Sequence, residues 1–282
     1  MKAAFLAVAL VAAMGAAAAA QTQQIHANAI IPNPLPSAPI ERWSGAPGRT
    51  TVSLTTPDGA TLRGWAYDGT DRAMPTVVFF NRNGTTIRDN DATYRRIAAI
   101  GPSVVVYDYR GYGFSTGLPG VHFMQEDAVK IVQAATRDAG ARGVVVFGHS
   151  LGTAVAAYAA AHTPVAGVIL AAPFASAEEE LPIVLQAGGI PAAAAAAMTP
   201  ATDAIDAFGV ATFAGQFQAP LLILHGTADT EVPIAQAREV YAASVSTPKR
   251  LVELEGVDHQ SVVLAPDARV AIKRFVSSLE RQ

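Results

Sequence analysis

Short runs of apolar residues recur along most of the chain, and many are rich in β-branched side chains. Alternating apolar and polar residues at 51–56 and 62–67 flank a Pro-Asp-Gly turn, which predicts a β-hairpin. Nearly uninterrupted apolar runs follow at 76–80, 103–107, 143–147, 167–170 and 221–224. Such runs are typical of parallel strands that are buried on both faces. A last strand is predicted at 249–254.

Helical patterns separate most of these runs. The predicted helices are 126–137, 151–161, 234–244 and 267–279. Strands that alternate with helices predict an α/β fold with a doubly wound, mostly parallel sheet. The segment 175–218 is too long for a simple connection and has helical patterns of its own. We therefore predict one domain at 50–282 with a small helical cap at about 175–218, where it would cover the ligand-binding edge of the sheet.

The N-terminal segment differs in composition from the rest of the chain. Lys2 precedes an apolar stretch at 3–13, and small residues follow at 18–20. This pattern predicts a signal peptide at 1–20 and hence a periplasmic or secreted bacterial protein without stable membrane insertion after cleavage. An uncleaved membrane anchor is the alternative. Five prolines among polar residues predict an N-terminal arm at 21–49.

Composition narrows the classes of function. The chain has 282 residues, of which 51% are hydrophobic and 15% charged, so it has enough apolar material for a sizeable core. The formal net charge of −3 gives no reason to expect a nucleic-acid partner. The absence of cysteine excludes disulfides, thiolate metal sites and a cysteine nucleophile. No cofactor, metal or oligomeric state is indicated by the sequence.

Residues 148–152 read Gly-His-Ser-Leu-Gly and lie between a predicted strand and a predicted helix. In this G-x-S-x-G arrangement, small neighbours leave room for a sharp turn that exposes the serine. The start of the helix also presents free N–H groups and a partial positive charge. We therefore predict Ser150 as a nucleophile and the N–H of Leu151 as an oxyanion donor, against the alternative of an ordinary buried turn.

A serine hydroxyl needs a base, and a histidine base needs an acid that holds its tautomer. His259 follows the last predicted strand and is the candidate base. Asp229 follows the strand before it and is the candidate acid. The order Ser150, Asp229, His259 is that of one group of serine hydrolases. Asp258 is the competing acid, and capping of the following helix is the alternative role of Asp229.

Two further loops carry candidate residues. After the run at 76–80 the chain reads Asn-Arg-Asn-Gly, and the N–H of Arg82 or Asn83 is the candidate for a second oxyanion donor. A plain Asn-Gly turn is the alternative. After the run at 103–107, Asp108 and Arg110 are expected to form a charge-assisted pair that braces the loop.

Taken in order, these motifs resemble the α/β-hydrolase superfamily, in its serine aminopeptidase-like and prolyl-oligopeptidase-like branch. The resemblance covers roughly residues 50–279. The motifs that carry it are Phe80 to Gly84, Asp108 to Gly113, Gly148 to Gly152, Ala172 to Phe174, His225 to Asp229, and Asp258 with His259. It implies that Ser150, Asp229 and His259 are the catalytic residues. It also implies that Leu151 and Asn83 form the oxyanion hole.

One position departs from the pattern of that family. Its members usually have His-Gly at the start of the loop after the third strand, where this chain has Asn81-Arg82. The loss of that glycine affects how closely the backbone approaches an oxyanion, and Arg82 adds a positive charge at the mouth of a pocket. The loop is therefore the part of the predicted site that differs most from the family.

Three hypotheses about function follow. The first is a serine hydrolase that cleaves carboxylic esters of a small-molecule acyl substrate through an acyl-enzyme, without cofactor or metal. The second is a serine peptidase with the same triad, in which Glu178, Glu179 and Glu180 are candidates for binding the terminal amine of an aminopeptidase substrate. The third is a non-catalytic hydrolase-like binding protein, suggested by the altered loop.

Overall fold

The computed structural model describes residues 23–25, 47–187 and 189–279. The predicted signal peptide and most of the predicted arm lie outside the described residues. The strands are β1 (Gln23–Ile25), β2 (Arg49–Thr55), β3 (Thr61–Tyr67), β4 (Thr76–Phe80), β5 (Val104–Tyr107), β6 (Val144–His149), β7 (Gly167–Ala171), β8 (Met198–Pro200), β9 (Leu221–Gly226) and β10 (Lys249–Leu254).

Eight of these strands form one sheet, in the order β10-β9-β7-β6-β4-β5-β3-β2. Neighbouring strands are parallel from β10 to β5, whereas β3 is antiparallel to both β5 and β2. Every residue of β4, β6, β7 and β9 is buried, which explains why their sequences are uninterrupted apolar runs. The predicted hairpin and the mostly parallel sheet are confirmed, and the carboxyl ends of the parallel strands meet at one edge.

Helices cover both faces of the sheet. They are α1 (Asp91–Ala98), α2 (Val121–Ala139), α3 (Leu151–His162), α4 (Ala177–Ala187), α5 (Ala192–Ala195), α6 (Thr202–Phe208), α7 (Val210–Ala214), α8 (Ile234–Ala243) and α9 (Pro266–Ser278), with a 3₁₀ turn at Gly140–Arg142. Buried residues of α2, α3 and α8 pack on one face, and those of α1 and α9 pack on the other. This is the doubly wound arrangement that the sequence predicts.

Two helices differ from the prediction. Helix α1 has no counterpart in it, although Tyr94, Ile97 and Ala98 recur at helical spacing and are buried. Helix α2 begins before the predicted start at 126, because Val121 and Met124 extend its buried stripe toward the N-terminus. In the described part of the chain, no helix is both long and apolar enough to cross a membrane.

The segment predicted as a cap, 175–218, contains α4 to α7 and β8. Its first half has a small apolar cluster of its own, formed by Ile25, Leu181, Leu185 and Ala195. Strand β1 pairs with β8 in parallel and so joins this half. Phe208 and Phe213, in the second half, belong instead to the large cluster that contains α3. The two halves of the insertion therefore pack on different cores.

Candidate active site

Ser150 lies at the sharp turn between β6 and α3, at the carboxyl edge of the sheet. Its backbone angles are φ 54° and ψ −120°, and a positive φ is uncommon and costly for a residue other than glycine. A Cβ atom added at Gly148 would collide with the carbonyl of Gly152, and one added at Gly152 would collide with the carbonyl of Phe80. The two glycines therefore allow three backbone segments to meet around Ser150.

Hydrogen bonds hold this strained turn in place. The N–H of Ser150 donates to Ala171 O at the end of β7 over 3.0 Å. The N–H and hydroxyl of Thr153 donate to Ser150 O over 2.8 Å and 2.6 Å. Leu151 is the first residue of α3, and the first N–H groups of a helix have no partner within it. The Leu151 N–H thus lies where the sequence predicts an oxyanion donor.

Asp229 and His259 lie on the loops that follow β9 and β10, which are neighbouring parallel strands. Nδ1 of His259 donates to Oδ2 of Asp229 over 2.7 Å, and both residues are buried. Oδ1 of Asp229 accepts the N–H groups of Glu231 (2.9 Å) and Val232 (2.8 Å). One carboxylate oxygen closes its own loop and the other faces the imidazole, whereas helix α8 has no side-chain cap, so the alternative that Asp229 caps this helix is wrong.

A second imidazole, that of His225, also contacts Asp229. His225 is completely buried, with Nε2 3.4 Å from Asp229 Oδ2 and 2.8 Å from Val232 O. Burial of Asp229 opposes its ionisation, but the contacts with His225 and His259 outweigh burial and hold the pKa of Asp229 well below its usual range. The carboxylate is therefore anionic at neutral pH, as required to stabilise a protonated His259. His225 begins the motif that contains Asp229, but no pattern in the sequence predicts the contact between the two side chains.

His149, the neighbour of Ser150, joins the turn to the loop of His259. Burial, followed by the charge of His259, lowers the pKa of His149 to about 3, so its ring is neutral at physiological pH. Its Nε2 lies 3.0 Å from the backbone carbonyl of His259, to which it donates. Among the described residues, no hydrogen bond joins the His259 ring to Ser150 Oγ. Such bonds are often long in substrate-free enzymes and shorten on binding.

The loop after β4 lies beside the turn of Ser150, because Gly152 packs directly on the carbonyls of Phe80 and Asn81. Asn81 is buried, and its side-chain Oδ1 accepts the hydroxyl of Tyr94. Its backbone carbonyl accepts the hydroxyl of Tyr109 over 2.8 Å. Two tyrosines thus fix the residue that replaces the usual histidine. Because the chain continues from there toward residue 83, they also position the predicted second oxyanion donor.

Removing the hydroxyl of Tyr109 tests this positioning role. We expect Tyr109→Phe to lower kcat for p-nitrophenyl butyrate by about 10-fold, the equivalent of one strong hydrogen bond, with KM nearly unchanged. The reason is that a displaced loop weakens stabilisation of the transition state more than binding of the ester. Steady-state kinetics measure both constants. Tyr158→Phe makes the same chemical change on α3 and should leave kcat as it is; an equal fall in both variants would contradict the role.

Comparison with known proteins shows the family to which the chain belongs. Residues 71–203 match the family model described as serine aminopeptidase, S33. A solved structure of the α/β hydrolase GrgF from Penicillium superimposes with a TM-score of 0.62 at 21% identity, over 83% of this chain and 98% of that one. The uncharacterized protein Rv2307c of Mycobacterium tuberculosis is 30% identical over 86% of this chain and 83% of its own length. The chain belongs to the α/β-hydrolase superfamily.

Other relatives in the superfamily are named for an activity. The lysophosphatidylserine lipase ABHD12 of Macaca fascicularis is 29% identical over 225 residues, which are 76% of this chain. This chain spans 53% of the length of that relative.

One expected contact of this α/β-hydrolase does not form. Arg110 does not pair with Asp108; its guanidinium binds both carboxylate oxygens of Asp127 on α2, at 3.0 Å and 2.7 Å. Asp108 is buried and accepts the N–H of Ile87 over 2.8 Å. The buried carboxyl of Asp108 is satisfied by a backbone N–H, and the buried guanidinium of Arg110 is satisfied by the carboxylate of Asp127. Each side chain therefore has a partner without pairing with the other. Asp108 still braces its surroundings, by tying the end of the loop after β4 to the loop after β5.

Glu180, in the first turn of α4, lies near the loop of Asp229. Its Oε2 accepts Nε2 of Gln236 over 3.2 Å, and Oε1 of Gln236 accepts the N–H of Ala175 over 2.9 Å. Burial raises the pKa of Glu180 to about 8, and the charges of Asp229 and Glu231 act in the same direction. The insertion thus brings a carboxyl group within electrostatic reach of the candidate acid of the hydrolase.

This raised pKa predicts a pH-dependent effect on stability. Because the folded state disfavours ionised Glu180, its contribution to stability is fully present below the ordinary glutamate pKa and is lost as pH rises through about 8. Glu180→Gln cannot ionise, so it should raise Tm by about 2 °C or more at pH 9 and change it little at about pH 4. Scanning calorimetry at both pH values measures this, with the exposed Glu178→Gln as control. A shift that is equal at both pH values would rule the effect out.

Proposed function

We propose that this chain is an exported serine hydrolase that cleaves carboxylic esters through Ser150, His259 and Asp229. The observation that carries the proposal is the 2.7 Å contact between His259 and Asp229, at the same sheet edge where Ser150 occupies the strained turn. Export is inferred from the apolar segment at residues 1–20, which has the pattern of a signal peptide. The periplasm or the cell exterior is the proposed location.

In the first half of the reaction, Ser150 Oγ attacks the acyl carbon while His259 Nε2 takes the hydroxyl proton. Asp229, whose pKa is held low, stabilises the imidazolium that forms. The N–H of Leu151 and that of Asn83 donate to the oxyanion of the tetrahedral intermediate. The intermediate collapses when His259 gives its proton to the leaving alcohol, which departs and leaves an acyl-enzyme.

In the second half, a water molecule takes the place of the alcohol. His259 removes a proton from the water as it attacks the acyl carbon, and the same two N–H groups bind the second oxyanion. Return of the proton to Ser150 Oγ breaks the acyl–enzyme bond and releases the carboxylic acid. The neutral ring of His149 holds the carbonyl of His259 throughout, so the base turns little between the two halves.

An ester substrate is favoured by the relatives that are named lysophosphatidylserine lipases, since lipases cleave acyl esters. A peptidase is the second candidate, because the matching family model is described as serine aminopeptidase. Glu180, which is bonded to Gln236, is the group that would bind a terminal amine, provided that the positive charge of the amine favours the ionised form of this carboxyl over its neutral form.

A substrate panel separates these candidates. We expect turnover of p-nitrophenyl esters whose acyl chains run from acetyl to palmitoyl, and little turnover of aminoacyl p-nitroanilides under the same conditions. Glu180→Gln serves as a probe, because it should lower activity toward an aminoacyl substrate and spare the esters. Faster release from the anilides, with loss in that variant, would replace the esterase proposal by the peptidase.

A further inference from the structure

Arg82 occupies a position where members of the family usually have glycine, and its side chain has no role in the proposed mechanism of ester hydrolysis. The backbone on both sides of it is fixed. The carbonyl of Asn81 accepts a tyrosine hydroxyl over 2.8 Å, and the carbonyl of Arg82 accepts the hydroxyl of Thr85 over 3.0 Å. Gly152 packs directly on Asn81. The Arg82 side chain therefore begins on a rigid loop beside the turn that carries Ser150.

The surroundings of Arg82 differ from those of Arg49 and Arg110, whose side chains are buried. Arg49 lies 2.7 Å from a carboxylate oxygen of Asp91, and Arg110 lies 2.7 Å from one of Asp127. The side chain of Arg82 is also partly buried, but among the residues that the structure describes no carboxylate or hydrogen-bond acceptor is joined to its guanidinium. A cation that is shielded from water normally has such a partner, because removing its hydration is costly.

The charge of Arg82 also reaches the residue next to the candidate nucleophile. Burial is the main cause of the lowered pKa of His149, and the positive charge of Arg82 acts in the same direction. The guanidinium is thus close enough to the end of β6 to influence groups there electrostatically. A ligand anion bound to it would lie near the oxyanion hole of the proposed enzyme.

We propose that Arg82 binds an anionic group of the substrate, so that the preferred substrates are acyl esters with a carboxylate or phosphate close to the ester bond. This inference rests on the proposed esterase function. A guanidinium presents five N–H donors in a planar fork that fits two oxygens of either anion. The anion of the substrate would be the hydrogen-bond acceptor for the Arg82 guanidinium. Its binding would hold the ester carbonyl in place relative to the N–H groups of Leu151 and Asn83.

Matched substrates that differ in one charge test the proposal. The carboxylate arm compares mono-p-nitrophenyl glutarate with p-nitrophenyl pentanoate. The phosphate arm compares 1-oleoylglycerol 3-phosphate with 1-oleoylglycerol. Arg82→Gln should lower kcat/KM for the anionic member of a pair by about 10- to 100-fold and leave the neutral member nearly unchanged, as expected for one charge-assisted interaction. Arg82→Lys keeps the positive charge but loses the planar fork of donors, so its kcat/KM for the anionic substrates should lie between that of the wild type and that of Arg82→Gln. Arg88→Gln removes an exposed arginine of the same loop and is the control.

The outcomes have distinct meanings. Loss confined to one anionic arm supports the proposal and identifies the anion. Equal losses on charged and neutral esters would overturn it, since Arg82 would then stabilise the oxyanion of any substrate. Equal turnover in the wild type and Arg82→Gln would overturn it as well.

A binding measurement separates this inference from the proposed function. Calorimetric titration with hexyl phosphate and with hexanoate requires no turnover. At least one should bind the wild type, and Arg82→Gln should bind it about 10-fold or more weakly. If Arg82→Gln weakens binding but the wild type hydrolyses no ester, the proposed esterase function is wrong and the anion site still stands. Identical binding by both proteins would refute the anion site, whatever the activity.

Discussion

Ser150→Ala should abolish ester hydrolysis, with kcat for p-nitrophenyl butyrate falling by about 10⁴- to 10⁶-fold. The variant removes the only atom that forms the acyl bond, and binding with the oxyanion hole alone accounts for the remaining rate. Alanine keeps a Cβ at φ 54°, so the turn retains the strain that serine has. Tm should therefore hardly change, and loss of activity cannot be attributed to unfolding.

The control for this experiment is Ser53→Ala, which removes an exposed hydroxyl on β2. It should keep full activity and full labelling by a fluorophosphonate probe, while Ser150→Ala should lose both. Normal turnover in Ser150→Ala would eliminate Ser150 as the nucleophile. Absence of labelling in the wild type as well as the variant would favour a non-catalytic binding protein with the same fold.

Asp229→Asn should lower kcat by about 10⁴-fold, through the tautomer of His259. Oδ1 of Asp229 accepts the N–H groups of Glu231 and Val232, so the amide oxygen of asparagine will keep that place. Its NH₂ group must then face Nδ1 of His259, where the carboxylate now accepts the hydrogen bond of the Nδ1–H group. The imidazole responds by placing its proton on Nε2, and a protonated Nε2 cannot act as a base.

Asp258→Asn provides the matched control. Asp258 precedes His259 in sequence but is exposed and accepts the N–H of Ser261 over 2.8 Å. This variant should keep its kcat within about 3-fold of the wild type, as exposed substitutions commonly do. If Asp258→Asn lost activity and Asp229→Asn kept it, the competing acid of the sequence analysis would be the right one. Rates and Tm should be measured together, because Asp229 also closes its loop.

Much of the fold could be predicted because the information is local. Strands buried on both faces have nearly uninterrupted apolar sequences, so the predicted run at 76–80 coincides with β4 and the run at 221–224 lies within β9. The turn of Ser150 was predictable for a similar reason, since both glycines that it needs lie within two residues of it. Helix α1 was missed because its eight residues carry a weak stripe of only three buried positions.

The contacts around the site could not be predicted, because they join distant parts of the chain. His149 and His259 are separated by 110 positions, and no local pattern shows that the ring of one binds the carbonyl of the other. Asn81 stands where the family has histidine, and its two oxygens accept hydroxyls from α1 and from the loop after β5, which no local pattern shows. The choice of Asp127 rather than Asp108 by Arg110 likewise depends on where α2 packs.

The order of the strands determines when the proposed activity arises. Ser150 follows a central strand, whereas Asp229 and His259 follow β9 and β10, which form one border of the sheet and come last in the chain. A polypeptide that emerges N-terminus first presents its serine long before its base, and pairing of distant segments is slow relative to local structure. Hydrolysis therefore begins only when the border is complete. Regain of turnover after dilution from denaturant should thus measure native assembly directly, and by the proposed mechanism a partly folded chain without β10 is inactive.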